Sequence, residues 1–159
     1  LKQEMDAARV GTGQKIQVWI YRRGPGGNVR FLLLKTHENR GSFWQPVTGH
    51  VEAGESLQEA ARREGREETG WSALGLPSPA GIDFEFVDRH SGKPVREYVF
   101  LVEAPVEVTD DSIHLDPSEH VAHCWISGAD AFKLLRYDSN RAAINSVLQL
   151  LMGKETLPP

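Results

Sequence analysis

The chain of 159 residues contains a single cysteine, Cys124, so it cannot form an internal disulfide. That scarcity favours a reducing compartment, and we expect a cytoplasmic protein. Cys124 lies in the apolar run VAHCWI, which favours a buried packing role over that of a nucleophile. No run approaches the roughly 20 apolar residues that cross a bilayer, and the first 14 residues lack the apolar stretch of a secretory signal. We therefore expect no membrane partner.

An excess of charge of one sign is also absent. The 18 basic and 22 acidic residues give a formal net charge of −4, so the whole molecule is not attracted to nucleic acid, and we expect no large nucleic-acid partner. The hydrophobic content of 40% and the charged content of 25% are ordinary for a globular protein. The length fits one domain with a sizeable core. This composition is compatible with a homo-oligomer.

Hydrophobic periodicity predicts one α/β domain over residues 15–152, between a mobile leader (1–14) and a short tail (153–159). A helix is predicted from Ser56, which has Glu59 three residues later, to Gly70. Strands are predicted from Lys15, over Val29–Lys35, near Trp44–Val47, and over Ile82–Phe86, Val95–Ala104 and Val121–Ile126. Two final helices are predicted over Gly128 to about Arg136 and Asn140 to about Met152, with Ser127 and Ser139 as N-caps.

The predicted central helix carries acidic residues on the side that should face the sheet. Each helical residue turns by about 100°, so the stripe that begins with Leu57 continues through Glu64 and Glu68, with Glu67 at its edge. Like charges at i,i+4 destabilise a helix, and negative charge near a helix C-terminus is disfavoured by the macrodipole. A bound cation would compensate for this arrangement, and carboxylate oxygens favour Mg²⁺. The alternative is a solvated acidic helix balanced by its arginines.

The spacing of this segment decides between the two interpretations. It follows the pattern G-x5-E-x7-R-E-U-x-E-E-x-G-U, where U is a bulky apolar residue. The fixed positions are occupied by Gly49, Glu55, Arg63, Glu64, Glu67, Glu68 and Gly70. This pattern resembles the Nudix box. Gly65 and Trp71 depart from it at apolar positions, and Gly65 costs the helix roughly 1 kcal/mol relative to alanine.

The resemblance implies the Nudix fold, a mixed β-sheet between α-helices, and a hydrolase that acts on diphosphate bonds. It implies that Glu67 and Glu68 ligate Mg²⁺, with Mn²⁺ as a substitute, helped by a backbone carbonyl near Thr48 and Gly49. It leaves two roles open for Glu64, which either ligates the metal or acts as the base that activates water.

The resemblance also implies that Glu55 and Arg63 pair and orient the acids. In the implied reaction, water attacks a phosphorus of the diphosphate linkage. Lys35, His37 and Arg40 follow the second strand and are candidates to bind the outer phosphates, although each is equally consistent with a solvated loop.

The residues around the box give a weaker indication of the substrate. Several of them resemble the bacterial dihydroneopterin triphosphate pyrophosphohydrolases, which implies a nucleoside or pterin triphosphate as the small phosphorylated substrate. These residues are Phe43-Trp44-Gln45, Val47-Thr48-Gly49, Glu119-His120, Trp125, Ser139-Asn140-Arg141 and Ala143-Ile144. Trp44 is a candidate to stack on the heterocycle, with a packing role as its alternative.

Two other functions stay open. The first is a Nudix hydrolase of dinucleoside polyphosphates, RNA 5′ ends or nucleotide sugars. The second is a nucleotide-binding regulator on the same scaffold, which the complete set of box acids disfavours.

Glu119 is the candidate for a further metal ligand outside the box. It lies two residues before the predicted strand at Val121, where the backbone becomes ordered, whereas Asp110 and Asp111 lie further back and Asp116 precedes a proline, which favours a turn. A solvated loop acid is the alternative for Glu119. The histidines at 120 and 123 fall short of a closed zinc site.

Overall fold

In the computed structural model, which describes residues 13–153, the chain forms a mixed β-sheet with three α-helices. The predicted leader and tail lie, apart from Gly13, Gln14 and Gly153, outside the described residues. The strands are β1 Gln14–Arg23, β2 Val29–Thr36, β3 Trp44–Gln45, β4 Val47–His50, β5 Ser78–Val87, β6 Pro94–Glu103 and β7 His120–Ser127. The helices are α1 Leu57–Thr69, α2 Gly128–Leu134 and α3 Asp138–Met152.

Strand β1 lies at the centre of the sheet and is buried on both faces from Ile16 to Ile20. Its neighbours in the main path give the order β3-β2-β1-β6-β5, while β4 pairs with β1 and β7 pairs with β2. The β1–β6 pair is parallel and the other pairs are antiparallel. Strand β1 pairs with β4 over Lys15–Val18 and with β2 over Tyr21–Arg23.

Two apolar clusters cover the two faces of the sheet. One contains Ile16, Val18 and Ala60 and packs α1 against the sheet. The other contains Trp19, Phe31 and Ile144 and packs α2 and α3 against the opposite face. The predicted arrangement of a mixed sheet between helices is therefore confirmed. No helix within the described range is long and apolar enough to span a bilayer.

Local signals predicted three helix boundaries correctly and a fourth incorrectly. The Ser56 hydroxyl accepts a hydrogen bond from the Glu59 N–H at 3.1 Å, and Gly70 ends α1 in the left-handed region at φ 77°. Ser127 caps α2 as predicted. Ser139 is not the cap of α3, because the helix begins at Asp138, two residues before the predicted start at Asn140. Its N-cap residue is Tyr137, which makes no side-chain capping bond.

Cys124 is half-buried on β7 and packs against the second apolar cluster. Burial raises the pKa of its thiol, which disfavours the reactive thiolate. A packing role, as expected from the sequence, accounts for this residue.

Candidate active site

Helix α1 carries two of its acids toward the sheet. The side chains of Glu64 and Glu68 are only 17% and 8% exposed, whereas that of Glu67 is 60% exposed. The helix turns these acids inward because Ala60 and Ala61, one turn earlier, pack into the apolar core. The inward stripe expected from the sequence is thus present, with Glu67 at its edge.

Glu68 is a buried carboxyl that lacks, among the described residues, a hydrogen-bond donor for one of its oxygens. Its Oε2 atom has no hydrogen-bond partner among residues 13–153. Burial, with the charges of Glu64 and Glu119, raises the pKa of Glu68 to about 9, against the opposing effect of a hydrogen bond from the Thr48 backbone. An unpartnered buried carboxyl oxygen beside two other acids is suited to a cation.

Strand β4 makes room for Glu64 at a glycine. A Cβ atom on Gly49 would lie 2.2 Å from Cδ of Glu64, so only glycine permits this approach of strand and side chain. Burial raises the pKa of Glu64, and the charges of Glu67 and Glu119 add to the rise against the opposing effect of Arg63. Gly49 therefore has a packing reason for its place in the box.

Arg63 connects the acids of the site. Its Nε and Nη2 atoms donate to the two carboxylate oxygens of Glu55 at 2.7 and 3.0 Å. Its Nη1 donates to Glu64 at 2.8 Å and to Glu67 at 3.3 Å, and Nη2 also donates to the His50 carbonyl at 2.9 Å. Burial opposes ionisation of Glu55, but the bonds from Arg63 and from the Glu52 backbone hold the pKa of Glu55 below its usual value.

Glu119 reaches the acid cluster from the loop before β7. Its backbone carbonyl accepts a hydrogen bond from the His37 N–H at 2.8 Å, and its carboxylate lies 3.7 Å from Arg40. Its charge acts on both Glu64 and Glu68. The loop therefore brings Glu119 and Arg40 to the buried acids of α1.

His120 lies beside Glu68, a position that the sequence did not predict. Its ring is buried, and its Nε2 atom lies 3.5 Å from Oε1 of Glu68 without a hydrogen-bond partner among the described residues. Burial, together with the charge of Arg40, lowers the pKa of His120 to about 4. The pairing of His120 on β7 with Thr36 on β2 places the His120 ring beside Glu68. No local sequence pattern predicts that register.

The donor set of this site fits a divalent cation. Hard carboxylate oxygens from Glu64, Glu68 and Glu119 lie near one another, and one of them is buried and unpartnered. Within the described part of the chain, no three acidic, histidine or cysteine side chains already converge in a metal-holding group, and Glu67 lies against Arg63 instead. In this arrangement the acids do not form a coordination sphere, and Glu67 would have to turn away from Arg63 to join one.

A cavity of about 750 Å³ adjoins the acid cluster. Its lining includes Arg40, which lies beside Glu119, and Thr48, whose backbone bonds to Glu68. Its lining also includes the rings of Phe43 and Tyr137, which pack edge to face with centroids 5.4 Å apart. This size is suited to a heterocyclic small molecule.

Of the four residues predicted to bind substrate, Arg40 lines this cavity. Trp44 packs against the second apolar cluster, and Lys35 lies over its ring at 6.0 Å. The ring of His37 accepts a hydrogen bond from the Asn39 N–H at 3.1 Å. None of these three is among the cavity-lining residues, whereas the neighbouring Phe43 is.

A family comparison matches residues 13–147 to the NUDIX domain. The chain belongs to the Nudix family, and it is a hydrolase that acts on diphosphate bonds.

Three characterised relatives align with most of this chain. Mouse bis(5′-nucleosyl)-tetraphosphatase (asymmetrical) is 32% identical over 126 residues, which cover 77% of this chain and 81% of that protein. Dihydroneopterin triphosphate diphosphatase of Escherichia coli K12 is 31% identical over 126 residues, which cover 72% and 80%. An octanoyltransferase of Myxococcus xanthus is 33% identical over 122 residues, which cover 77% of this chain but only 33% of that protein.

Solved structures agree with the assignment of the fold. The binary complex of a Caenorhabditis elegans Ap4A hydrolase superposes with a TM-score of 0.67 at 26% identity and covers 88% of this chain and 98% of that one. The two phosphatase names among these relatives indicate cleavage of phosphate anhydride bonds but give different substrates, whereas the octanoyltransferase has a name for a different reaction.

Proposed function

We propose that the protein is a Mg²⁺-dependent pyrophosphohydrolase that cleaves the diphosphate linkage of a nucleoside or pterin triphosphate. The observation that carries this proposal is the buried, unpartnered oxygen of Glu68 beside Glu64 and Glu119. The adjoining cavity, with Arg40 near the acids, supports a substrate that has phosphates and a ring. Similarity to the E. coli dihydroneopterin triphosphate diphosphatase supports this substrate class.

Glu64, Glu67, Glu68 and Glu119 are the side chains that would hold Mg²⁺, or Mn²⁺ in its place, together with backbone carbonyl oxygen at Thr48 or Gly49. When bound, the metal would neutralise phosphate oxygens and lower the pKa of the attacking water. The remaining steps follow from the protein's own groups.

Arg40 would bind the outer phosphates as a fixed positive charge beside the acids. Arg63, held by both oxygens of Glu55, fixes the position of Glu64. Water forms a bond to phosphorus as the bridging P–O bond breaks, and its proton passes to Glu64 if that residue acts as the base, or to solvent if Glu64 is a ligand. A triphosphate then yields a monophosphate and pyrophosphate.

A second candidate substrate is a dinucleoside polyphosphate. The similarity to the mouse bis(5′-nucleosyl)-tetraphosphatase, at 32% identity, favours it to the same degree. RNA 5′ ends and nucleotide sugars require the same bond cleavage. A non-catalytic nucleotide-binding regulator is disfavoured because every acid of the box is present.

Product analysis with a substrate panel tests the proposal. Dihydroneopterin triphosphate, dATP, GTP and diadenosine tetraphosphate are compared with Mg²⁺ and with EDTA. We expect pyrophosphate from the triphosphates, no turnover in EDTA, and loss of most turnover in Glu67→Gln, whereas Glu59→Gln, on the exposed side of α1, keeps wild-type activity. Full activity in EDTA or in Glu67→Gln would overturn the proposal, and a strong preference for the tetraphosphate would favour the second candidate.

A further inference from the structure

A network of buried polar side chains, two of which line the cavity, is not used by the proposed reaction. The Trp19 indole N–H donates to Oε1 of Gln17 at 2.8 Å, and Nε2 of Gln17 donates to Oε1 of Glu97 at 2.8 Å. The Asn140 amide also donates to Oε1 of Gln17, at 3.4 Å. Trp19 and Gln17 are fully buried, and Glu97 and Asn140 are each 5% exposed.

The indole N–H determines how the side-chain amides of Gln17 and Asn140 are oriented in this network. An indole N–H can only donate, so the atom of Gln17 that faces it must be the amide oxygen. The Gln17 amide nitrogen then points to Glu97, and Oε1 of Glu97 must be an acceptor. The same assignment turns the Asn140 nitrogen toward Gln17 and leaves the Asn140 oxygen available as an acceptor.

The second carboxylate oxygen of Glu97 has no bond to any of residues 13–153. Glu97 and Asn140 both line the cavity. Lys15 is the strand neighbour of Glu97 and opposes the rise that burial causes in the pKa of Glu97, yet the two do not form an ion pair within 4.0 Å. A buried carboxyl with one hydrogen bond is costly, and this cost is offset when a ligand supplies N–H donors.

The walls beside these two acceptors are aromatic. Phe84 is the strand partner of Glu97, and Phe86 lies two residues further along β5. Phe43 and Tyr137 complete the set of rings in the lining. Flat aromatic surfaces around polar acceptors are suited to a planar heterocycle that carries N–H donors on its edge.

The acceptors select among heterocycles by their donor pattern. A 2-amino-4-oxopyrimidine ring, which occurs in guanine and in pterins, presents a ring N–H and an amino N–H side by side, and a carboxylate accepts such a pair. Adenine presents a ring nitrogen acceptor beside its amino group, which would meet the carboxylate oxygen without a proton between them. Hypoxanthine keeps the ring N–H but lacks the 2-amino donor.

We propose that Glu97, oriented by Gln17 and Trp19 and assisted by Asn140, is a specificity-determining residue that recognises a 2-amino-4-oxopyrimidine ring in this cavity. The inference rests on the proposed function for the placement of the phosphates at Arg40 and the acid cluster. It goes beyond that function because it assigns the heterocycle to one residue and separates guanine and pterin substrates from adenine substrates.

The kinetic test compares GTP with ITP, which differ only in the 2-amino group. We expect the wild-type enzyme to prefer GTP by at least tenfold in kcat/KM, about 1.4 kcal/mol, and Glu97→Gln to reduce that ratio to about twofold or less. Glu103→Gln changes the exposed glutamate at the end of the same strand and should keep the wild-type ratio. An unchanged ratio in Glu97→Gln would overturn the inference.

A binding test separates this inference from the hydrolytic function. Guanosine, inosine, adenosine and neopterin, which have no phosphates, are titrated into the wild-type protein without metal. We expect guanosine and neopterin to bind at least tenfold more tightly than inosine and adenosine, and this holds even if no triphosphate is hydrolysed. Equal affinities for guanosine and inosine would overturn the inference without any variant, so the test does not depend on the folding of Glu97→Gln.

The two sources of the ring are distinguished by their triphosphates. A higher kcat/KM for dihydroneopterin triphosphate than for GTP identifies a pterin as the preferred source, and the reverse identifies guanine. Either result supports recognition by Glu97, whereas a preference for dATP over both would contradict it.

Discussion

The Glu68 side chain is 8% exposed, and one of its carboxyl oxygens has no hydrogen-bond partner among the described residues. In a protein selected for stability alone, an apolar side chain at this buried position would cost less than a carboxyl without its hydrogen bonds. The adjacent His120 ring does not offset the charge, because burial keeps its pKa at about 4 and therefore keeps it neutral. In the metal-free protein this carboxyl therefore lacks the partner that a bound cation would supply.

Glu68→Gln should change how the stability of the metal-free protein depends on pH. The folded-state pKa of about 9 lies above the ordinary 4.5, so the folded protein retains a proton that the unfolded chain has lost. Stability from this group is therefore lost as pH rises toward 9. His120 acts in the opposite direction only between about 4 and 6.5. We expect urea titrations in EDTA above that range to show a falling free energy of unfolding for wild type and a flatter profile for Glu68→Gln.

Glu59→Gln supplies the control for this experiment, because Glu59 lies on the exposed side of the same helix. It should keep the wild-type dependence on pH. Identical profiles for wild type and Glu68→Gln would contradict the account of this residue.

At the scale of elements, the site depends on α1, which carries its acids, and on β4, which packs against Glu64 at Gly49. The helix is defined by strong local signals, since the Ser56 cap and Gly70 in the left-handed region both bracket it. The beginning of α3 has no such signal, and Asn140 near its start is instead buried against Gln17. A tertiary contact therefore positions the first turn of α3, which explains why a prediction based on Ser139 was wrong.

Gly49→Ala tests the contact between β4 and α1. The added methyl would overlap Cδ and Cγ of Glu64, at 2.2 and 2.5 Å, and would displace the carboxylate from its bond to Arg63. We expect kcat/KM to fall at least tenfold while the protein remains folded, because the side chain of Glu64 can turn toward solvent. Gly75→Ala, where nothing lies within 4 Å of the added atom, should retain wild-type kinetics. Wild-type activity in Gly49→Ala would show that the position of Glu64 is not critical.

At the scale of the whole molecule, the box residues could be predicted because they lie at fixed offsets in one continuous segment, which runs from β4 through the loop to α1 and its C-cap. The mixed sheet was predicted because its strands show clear apolar runs. The cavity was not predicted, since its parts come from distant segments: Gln17 and Glu97 are 80 residues apart in the chain. Local periodicity does not reveal which strands pair, and the parallel pairing of β1 with β6 is what brings these two side chains together.

Glu119 and His120 are neighbours in the sequence, but only the first was predicted to lie near the acids of α1. Glu119 was proposed from its place before a strand, and the structure brings its charge close to Glu64 and Glu68. His120, one residue later, could not be chosen from the sequence, because its contact with Glu68 depends on the register of β7 against β2.

The central claim is that these acids form one divalent-cation site, and direct metal binding tests it. Mn²⁺ titrations followed by electron paramagnetic resonance report the free ion without any substrate. We predict saturable binding by the wild-type protein and at least tenfold weaker binding by both Glu68→Gln and Glu119→Gln, about 1.4 kcal/mol each. Binding of Mn²⁺ by Glu68→Gln with wild-type affinity would contradict the account.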